Sequence, residues 1–291
     1  MTKTVLGIIG GSGVYSLDGA KCSHWESVSS PWGKPSDCIL FTDIEGIPIR
    51  FLPRHGRGHK YLPTDINYRA NIDCLKRVGV TDLISISACG SLNEKLKPGM
   101  FVLVDQFIDK TFARDKSFFG SGFIAHVSIA DPVSPTVVDE VEKAIKFEGI
   151  LYQRGGTYLA IEGPQFSSRA ESQLYRSWGC DVIGMTNMPE AKLAREAEIC
   201  YASIAMVTDY DCWHHKYSNV NVAGVVKVMQ DNAENAHRMV KTLARLFPRQ
   251  HPACPIGSDR ALEEAVLTQP ESRDPLLVSK LDAVAGRILK N

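Results

Sequence analysis

The chain carries no net charge: 33 lysines and arginines are balanced by 33 aspartates and glutamates in 291 residues. Nucleic acids and anionic membranes are attracted by an excess of basic residues, so no such field draws this protein to either partner. Any anion it binds must be held by a few local groups. No apolar run reaches the roughly 18 residues that a membrane-spanning helix needs. Met1 to Val5 also lacks the basic region and hydrophobic run of a secretory leader. These absences predict a soluble, cytoplasmic protein. The eight cysteines, at 22, 38, 74, 89, 180, 200, 212 and 254, form no Cys-x-x-Cys pair. That counts against a zinc or thioredoxin-like site and predicts free thiols in a reducing compartment. Repeats and low-complexity tracts are also missing.

What is present is enough apolar residue, 44% of the chain, to bury one large core. Val5 to Ile9, Pro48 to Leu52, Leu83 to Ile86, Phe101 to Val104, Thr157 to Ile161, Val182 to Met185 and Ile199 to Val207 read as strands. Between them lie helical patterns. One is the stripe Ile66, Ala70, Ile72, Leu75 and Val78, which Gly79 ends. A second starts at Ser134-Pro135, with serine as cap, and a third runs from Pro189 through Glu198. A long one runs from Val222 to Phe247 and is closed by Pro248. Strands alternating with helices imply α/β architecture. Residues 1–248 are expected to form one domain. Arg249 to Pro255 reads as a linker, and 249–291 as a helical extension, its helix spanning Leu276 to Leu289, packed on the domain or on a neighbouring subunit.

Chemistry concentrates where the strands end, the place where open α/β sheets bind ligands. The run Ile199 to Val207 stops at Thr208-Asp209-Tyr210-Asp211, two carboxylates two positions apart. Buried carboxyl groups are costly unless something uses them. The first strand enters Gly10-Gly11-Ser12-Gly13, whose amides can cradle an oxyanion, although Ser16 breaks the dinucleotide-binding pattern. The second ends in Arg54-His55-Gly56-Arg57-Gly58-His59, offering a guanidinium for bidentate phosphate contact. Ser87-Ala88-Cys89-Gly90-Ser91 and Glu162-Gly-Pro-Gln-Phe-Ser-Ser-Arg169 follow two further strands. Together these turns suit an anion plus a flat ring.

Gly7-Ile-Ile-Gly-Gly-Ser-Gly13, Arg54 to His59, Ser87 to Ser91, Glu162 to Arg169, Met185-Thr186 and Cys200 to Asp211 are similar, in that order, to motifs of the trimeric purine nucleoside phosphorylases in their methylthioadenosine-cleaving branch. The resemblance spans Val5 to Phe247. It implies a single domain with a central mixed β-sheet flanked by helices, and a pentosyltransferase serving purine and methionine salvage. The reaction would be phosphorolysis of 5′-methylthioadenosine to adenine and 5-methylthioribose 1-phosphate. It further implies a homotrimer with no metal and no organic cofactor, inorganic phosphate being a co-substrate.

By the same resemblance, Ser12, Arg54, His55, Ser87, the Ala88 amide and Thr186 hold phosphate. Phe166 stacks near the base, Met185 packs against the ribose, and Asp209, Tyr210 and Asp211 meet the purine. Asp209 would share a proton with N7, its pKa raised by burial and by Asp211. Asp211 would accept from a 6-amino group, which a 6-oxopurine lacks. Val222, Val225 and Val226 would give an apolar site for the 5′-methylthio group, with Ser167 at another specificity position. His126 would reach a neighbour's active site.

Gly184 stands where the branch leads one to expect a polar residue and predicts a looser ribose contact. The stretch Trp213 to Asn219 departs from the expected loop over the base. Other readings are phosphorolysis of adenosine, inosine or methylthioinosine, and a hydrolase using Cys89 with His55 or His59. A nucleotide sensor would not need the paired acids.

Overall fold

The computed structural model describes residues 2–11, 14, 21–214 and 222–290, with backbone alone at 21, 22 and 222–225. Its centre is an eleven-stranded mixed sheet. Leu6–Gly10 (β1) lies between Ile47–Pro53 (β4) and Asp82–Ser91 (β5), parallel to both. Lys21–Glu26 (β2) and Ile39–Ile44 (β3) extend the β4 edge antiparallel. Cys200–Asp209 (β11) runs parallel to β5, from Cys200 beside Asp82 to Val207 beside Cys89. Phe101–Val104 (β6) pairs antiparallel with β11, and Tyr152–Arg154 (β8) lies beyond it. All of β1 and nearly all of β11 is buried, the pattern of strands covered on both faces.

The sheet forks at the end of β5. A bulge after Val207 brings Asp209 opposite Gly90, while Val182–Gly184 (β10) pairs with β5 at Gly90 and Ser91. Thr157–Ala160 (β9) and Gln106–Asp109 (β7) continue from β10. Two strands therefore meet one end of β5, and a crevice opens at that fork.

Helices Tyr68–Arg77 (α1) and Asn187–Glu196 (α4) pack together, as do Pro135–Phe147 (α2) and Val222–Leu246 (α5). The α2 helix begins where Ser134-Pro135 predicts, but Ser134 does not cap it; its hydroxyl instead faces Thr136 Oγ1 at 2.9 Å. The α4 helix starts two residues before Pro189, with Thr186 at its N-terminal boundary. One more helix, Arg169–Ser177 (α3), is fixed by a reciprocal cap between Ser168 and Glu171.

The tail lies on the same core. Leu262, Leu281, Val284 and Ala285 are buried within it, and Arg287 donates to Glu198 at 2.7 and 2.9 Å. The single helix expected over 276–289 is two short ones, Pro275–Lys280 (α6) and Gly286–Leu289 (α7). Between them Asp282 accepts from the next amide, Ala283 N, at 2.8 Å, a local bond that competes with helix continuation. The 249–255 stretch is not a free linker: Thr4 N donates to Arg249 O at 3.1 Å, His251 N to Thr2 O at 2.9 Å, and Cys254 is buried.

Candidate active site

A cavity of about 310 Å³ occupies the fork, and ten of the residues singled out in the sequence line it: Arg54, His55, Ser87, Ala88, Phe166, Ser167, Met185, Thr186, Asp209 and Asp211. They come from five separate strand ends or the turns that follow them. Ser12, and the side chains of Val222 and Val225, lie outside the described residues.

The two acids face the cavity because of the bulge and the turn after it. Asp209 Oδ1 accepts from the Asp211 amide at 2.8 Å, an Asx-type bond, and Asp211 takes a left-handed φ of 51° that Asp tolerates. Gly90 makes room for them, since a Cβ there would lie 3.1 Å from Asp209 Oδ1. Burial raises the pKa of Asp209, and Asp211 does not add to the rise. The expected elevation of Asp209 therefore comes from burial and not from Asp211; it is Asp211 that is raised by burial and then by its neighbour's charge. The Thr208 hydroxyl has one proton but faces two oxygens, Cys89 O at 3.1 Å and Asp209 Oδ2 at 2.7 Å. A proton on Asp209 Oδ2 satisfies both contacts, consistent with the raised pKa.

Tyr210 is not at the cavity. It caps the short turn Asp211–Trp213 that follows the strand, and its ring joins an apolar cluster with Leu92, Tyr175, Ile183 and Trp213. Val226 is exposed and does not line the cavity; one turn on, Met229 does. His126 lines a different cavity, with Gly257 and Arg260 of the tail, and its amide donates to Ala265 O at 2.8 Å. Phe166 lines the mouth and is two-thirds exposed, at 67%.

At the other strand ends the cations are already engaged. Arg54 is fully buried, its Nε and Nη2 donating to Glu190 at 2.9 and 3.3 Å, Nη1 to Ile86 O at 3.1 Å and Nη2 to Ser85 Oγ at 2.5 Å. Its two-pronged face is thus taken by Glu190, leaving one Nη1 hydrogen without a bond in this set. His55 Nδ1 lies 2.9 Å from Tyr61 O. A carbonyl only accepts, so Nδ1 carries the hydrogen. Burial, with a further push from Arg54, lowers the His55 pKa to about 4, so the ring is neutral and Nε2 is an acceptor.

Gly184 does not leave a gap. The Tyr158 hydroxyl fills the space, only 1.8 Å from where a Cβ would sit. That hydroxyl is buried beside those of Ser87 and Thr186, yet Ser87 Oγ and Tyr158 OH complete no hydrogen bond of good geometry within the described protein.

Three residues with large effects on this site escape the sequence patterns. Glu190 holds Arg54 and also accepts from Tyr201 OH at 3.0 Å. Arg114 is buried and donates to Glu162 Oε1 at 2.9 Å, and to the carbonyls of Met185 and Met188 at 2.7 Å each. Burial pushes Glu162 up, but Thr64, the Phe112 and Ala113 amides and Arg114 outweigh it and hold its pKa at about 2. Tyr158, already described, is the third.

The model of the phosphorylase superfamily matches residues 5–245. The chain belongs to that superfamily. Among relatives of this phosphorylase, the S-methyl-5′-thioadenosine phosphorylase of Bradyrhizobium diazoefficiens is 60% identical over 290 residues, covering all of both chains. That of Rhodospirillum rubrum is 58% identical over 288 residues, covering 99% of this chain and 98% of its own. A crystal structure of a methylthioadenosine phosphorylase from an antarctic soil metagenomic library superposes with a TM-score of 0.91 at 42% identity, covering 98% and 99%. The Schistosoma mansoni methylthioadenosine phosphorylase in complex with adenine gives 0.79 at 34% identity, covering 84% and 92%. In this phosphorylase the Cys89 thiol is pushed well above its ordinary pKa, chiefly by burial. A thiol held in that form is a poor nucleophile, which removes the support for the hydrolase reading.

Proposed function

We propose that the chain cleaves 5′-methylthioadenosine with inorganic phosphate, giving adenine and 5-methylthioribose 1-phosphate. The observation that carries this reading is the meeting of Asp209 and Asp211 with Arg54, Ser87 and Thr186 in one cavity. As the C1′–N9 bond breaks, the sugar becomes cationic and the purine anionic. Phosphate held by the hydroxyls of Ser87 and Thr186, the Ala88 amide and the remaining Arg54 hydrogen stabilises the sugar and forms the new bond to C1′. Neutral His55 accepts from a protonated phosphate oxygen. Asp209 gives its proton to N7, so adenine leaves neutral, and Asp211 accepts from the 6-amino group. Ser12 joins the phosphate ligands in this scheme, Phe166 covers the base, and Met185 and Met229 supply apolar contact to the methylthioribose. Val222 and Val225 add to that contact, Ser167 tunes specificity, and His126 completes a neighbour's site. No metal or organic cofactor enters.

The test is a competitive assay with 5′-methylthioadenosine, adenosine, inosine and methylthioinosine, with and without phosphate. Expected are strict phosphate dependence and preference for the 6-amino, 5′-methylthio substrate. Equal efficiencies for the four nucleosides would overturn the reading. Adenosine is the favoured second substrate, because a Schistosoma mansoni relative is described as an adenosine/methylthioadenosine phosphorylase. We further infer a cytoplasmic homotrimer serving purine and methionine salvage, on the strength of the motif resemblance. Phe112, Phe147, Leu151 and Leu276 are exposed and are candidates for the buried surface of such an assembly. Light scattering should give three times the chain mass; a monomer would remove the trimer.

A further inference from the structure

At the opposite end of β5 and β11 from the active site lies a second constellation of polar side chains. Asp82 and Cys200 open these two strands side by side in register, and His251 of the tail meets Asp82 there. One ligand atom from each of the three lies within 4.8 Å of the others, and His251 Nδ1 is 2.9 Å from Asp82 Oδ2. Three residues after His251, the Cys254 thiol sits beside that of Cys200. The sequence His251-Pro-Ala-Cys254 has the two-residue spacing of a chelating ligand pair, which a search for Cys-x-x-Cys alone passes over.

We propose that Asp82, Cys200, His251 and Cys254 form a structural zinc site that fastens the tail to the base of the sheet. The donor set is two sulfurs, one imidazole nitrogen and one carboxylate oxygen, which selects zinc over magnesium or calcium. Ligand atoms of a tetrahedral zinc stand roughly 3.3 to 3.8 Å apart, given bonds of about 2.0 Å to nitrogen and oxygen and 2.3 Å to sulfur. The present arrangement needs the Asp82 to His251 pair to spread by a few tenths of an ångström from 2.9 Å, and Cys254, which stands outside the three-membered group, to turn its thiol in toward the other three.

The surroundings are those of a held ligand set. Thr81 Oγ1 donates to Asp82 Oδ2 at 2.7 Å, and Ser134 Oγ lies 3.5 Å from Cys254 Sγ, outer contacts of the kind that fix metal ligands. Asp259 lies near both Cys200 and His251; its Oδ2 is 3.8 Å from Arg260 Nη1, while its Oδ1 is buried with no hydrogen-bond partner among the described residues. An unpartnered carboxylate oxygen beside a second buried acid is a place where a cation lowers the energy. An entry path exists as well, since a surface cavity lined by Asp82, Thr136, Phe247, Pro248 and Pro252 reaches the cluster. Binding releases the two thiol protons and forms two Zn–S bonds; no oxidant or reductant is involved. The site is far along both strands from the acids of the fork and takes no part in phosphorolysis.

The test uses the full chain without an affinity tag, loaded with zinc or cobalt(II) and dialysed. Metal is counted by mass spectrometry, and cobalt is read by its absorption spectrum. One ion per chain, with tetrahedral cobalt bands and sulfur-to-cobalt charge transfer, is expected. His251→Gln and Cys254→Ser should each lose the metal, while Cys212→Ser keeps it. Each variant is checked by circular dichroism; if Cys254→Ser fails to fold, His251→Gln decides. Wild-type protein that retains no metal after dialysis, or a folded His251→Gln that retains it all, would overturn the proposal.

Discussion

One missing carbon fixes how position 184 is used. The Tyr158 hydroxyl lies 1.8 Å from the place of a Gly184 Cβ and the ring Cζ 2.6 Å away, so alanine there must displace a fully buried aromatic side chain. Overpacking of this kind costs about 1–3 kcal/mol. Gly184→Ala is therefore expected to lower stability by that amount in denaturant titration. Adding Tyr158→Phe should recover only part of it, because Cζ remains. The sequence showed that a polar residue was absent at 184, but the tyrosine that replaces its bulk lies on another strand, and no local pattern joins the two. Tyr210 illustrates the converse: neighbouring acids made it look like a site residue, whereas the strand ends at Asp209 and the turn into Asp211–Trp213 carries the ring into a separate apolar cluster.

At the scale of elements, the buried strands were legible because runs such as Ile8 to Ile9 and Ile204 to Val207 are continuous and apolar. The edges were not. β3 and β4 form a hairpin around Glu45 and Gly46, both with positive φ, a two-residue turn whose usual Asn-Gly signal is absent. α3 carried a readable serine and glutamate cap, but Ser168 and Arg169 were read as part of a ligand turn. Position in the active site is held between elements by Arg114, which ties the turn at Glu162 to the carbonyls of Met185 and Met188. The pKa of Glu162 is depressed to about 2 from an ordinary 4.5. A depressed acid stabilises the fold above its unfolded pKa, and that contribution is lost as pH falls through the folded value. Wild-type melting temperature should thus fall between about pH 4.5 and pH 2. Glu162→Gln should flatten that limb while lowering stability at neutral pH, because it leaves Arg114 buried and unpaired. Parallel acid limbs in the two proteins would exclude the pair as their cause.

Over the whole molecule, the fold brings distant segments to both ends of one strand. The end of β5 meets β10 and β11 at the cavity, and its beginning meets the tail at Asp82 and His251. The first convergence was foreseeable because every contributing turn follows a recognisable strand. The second was not, since it depends on where a segment read as a linker comes to rest. The central claim is that Asp209 delivers the proton that lets adenine leave. Its most direct test is the turnover of 5′-methylthioadenosine at saturating phosphate by Asp209→Asn, in protein shown to be folded. A fall of about 10² to 10⁴ is expected, the size of a general acid's contribution; adenine release at a near-normal rate would contradict it.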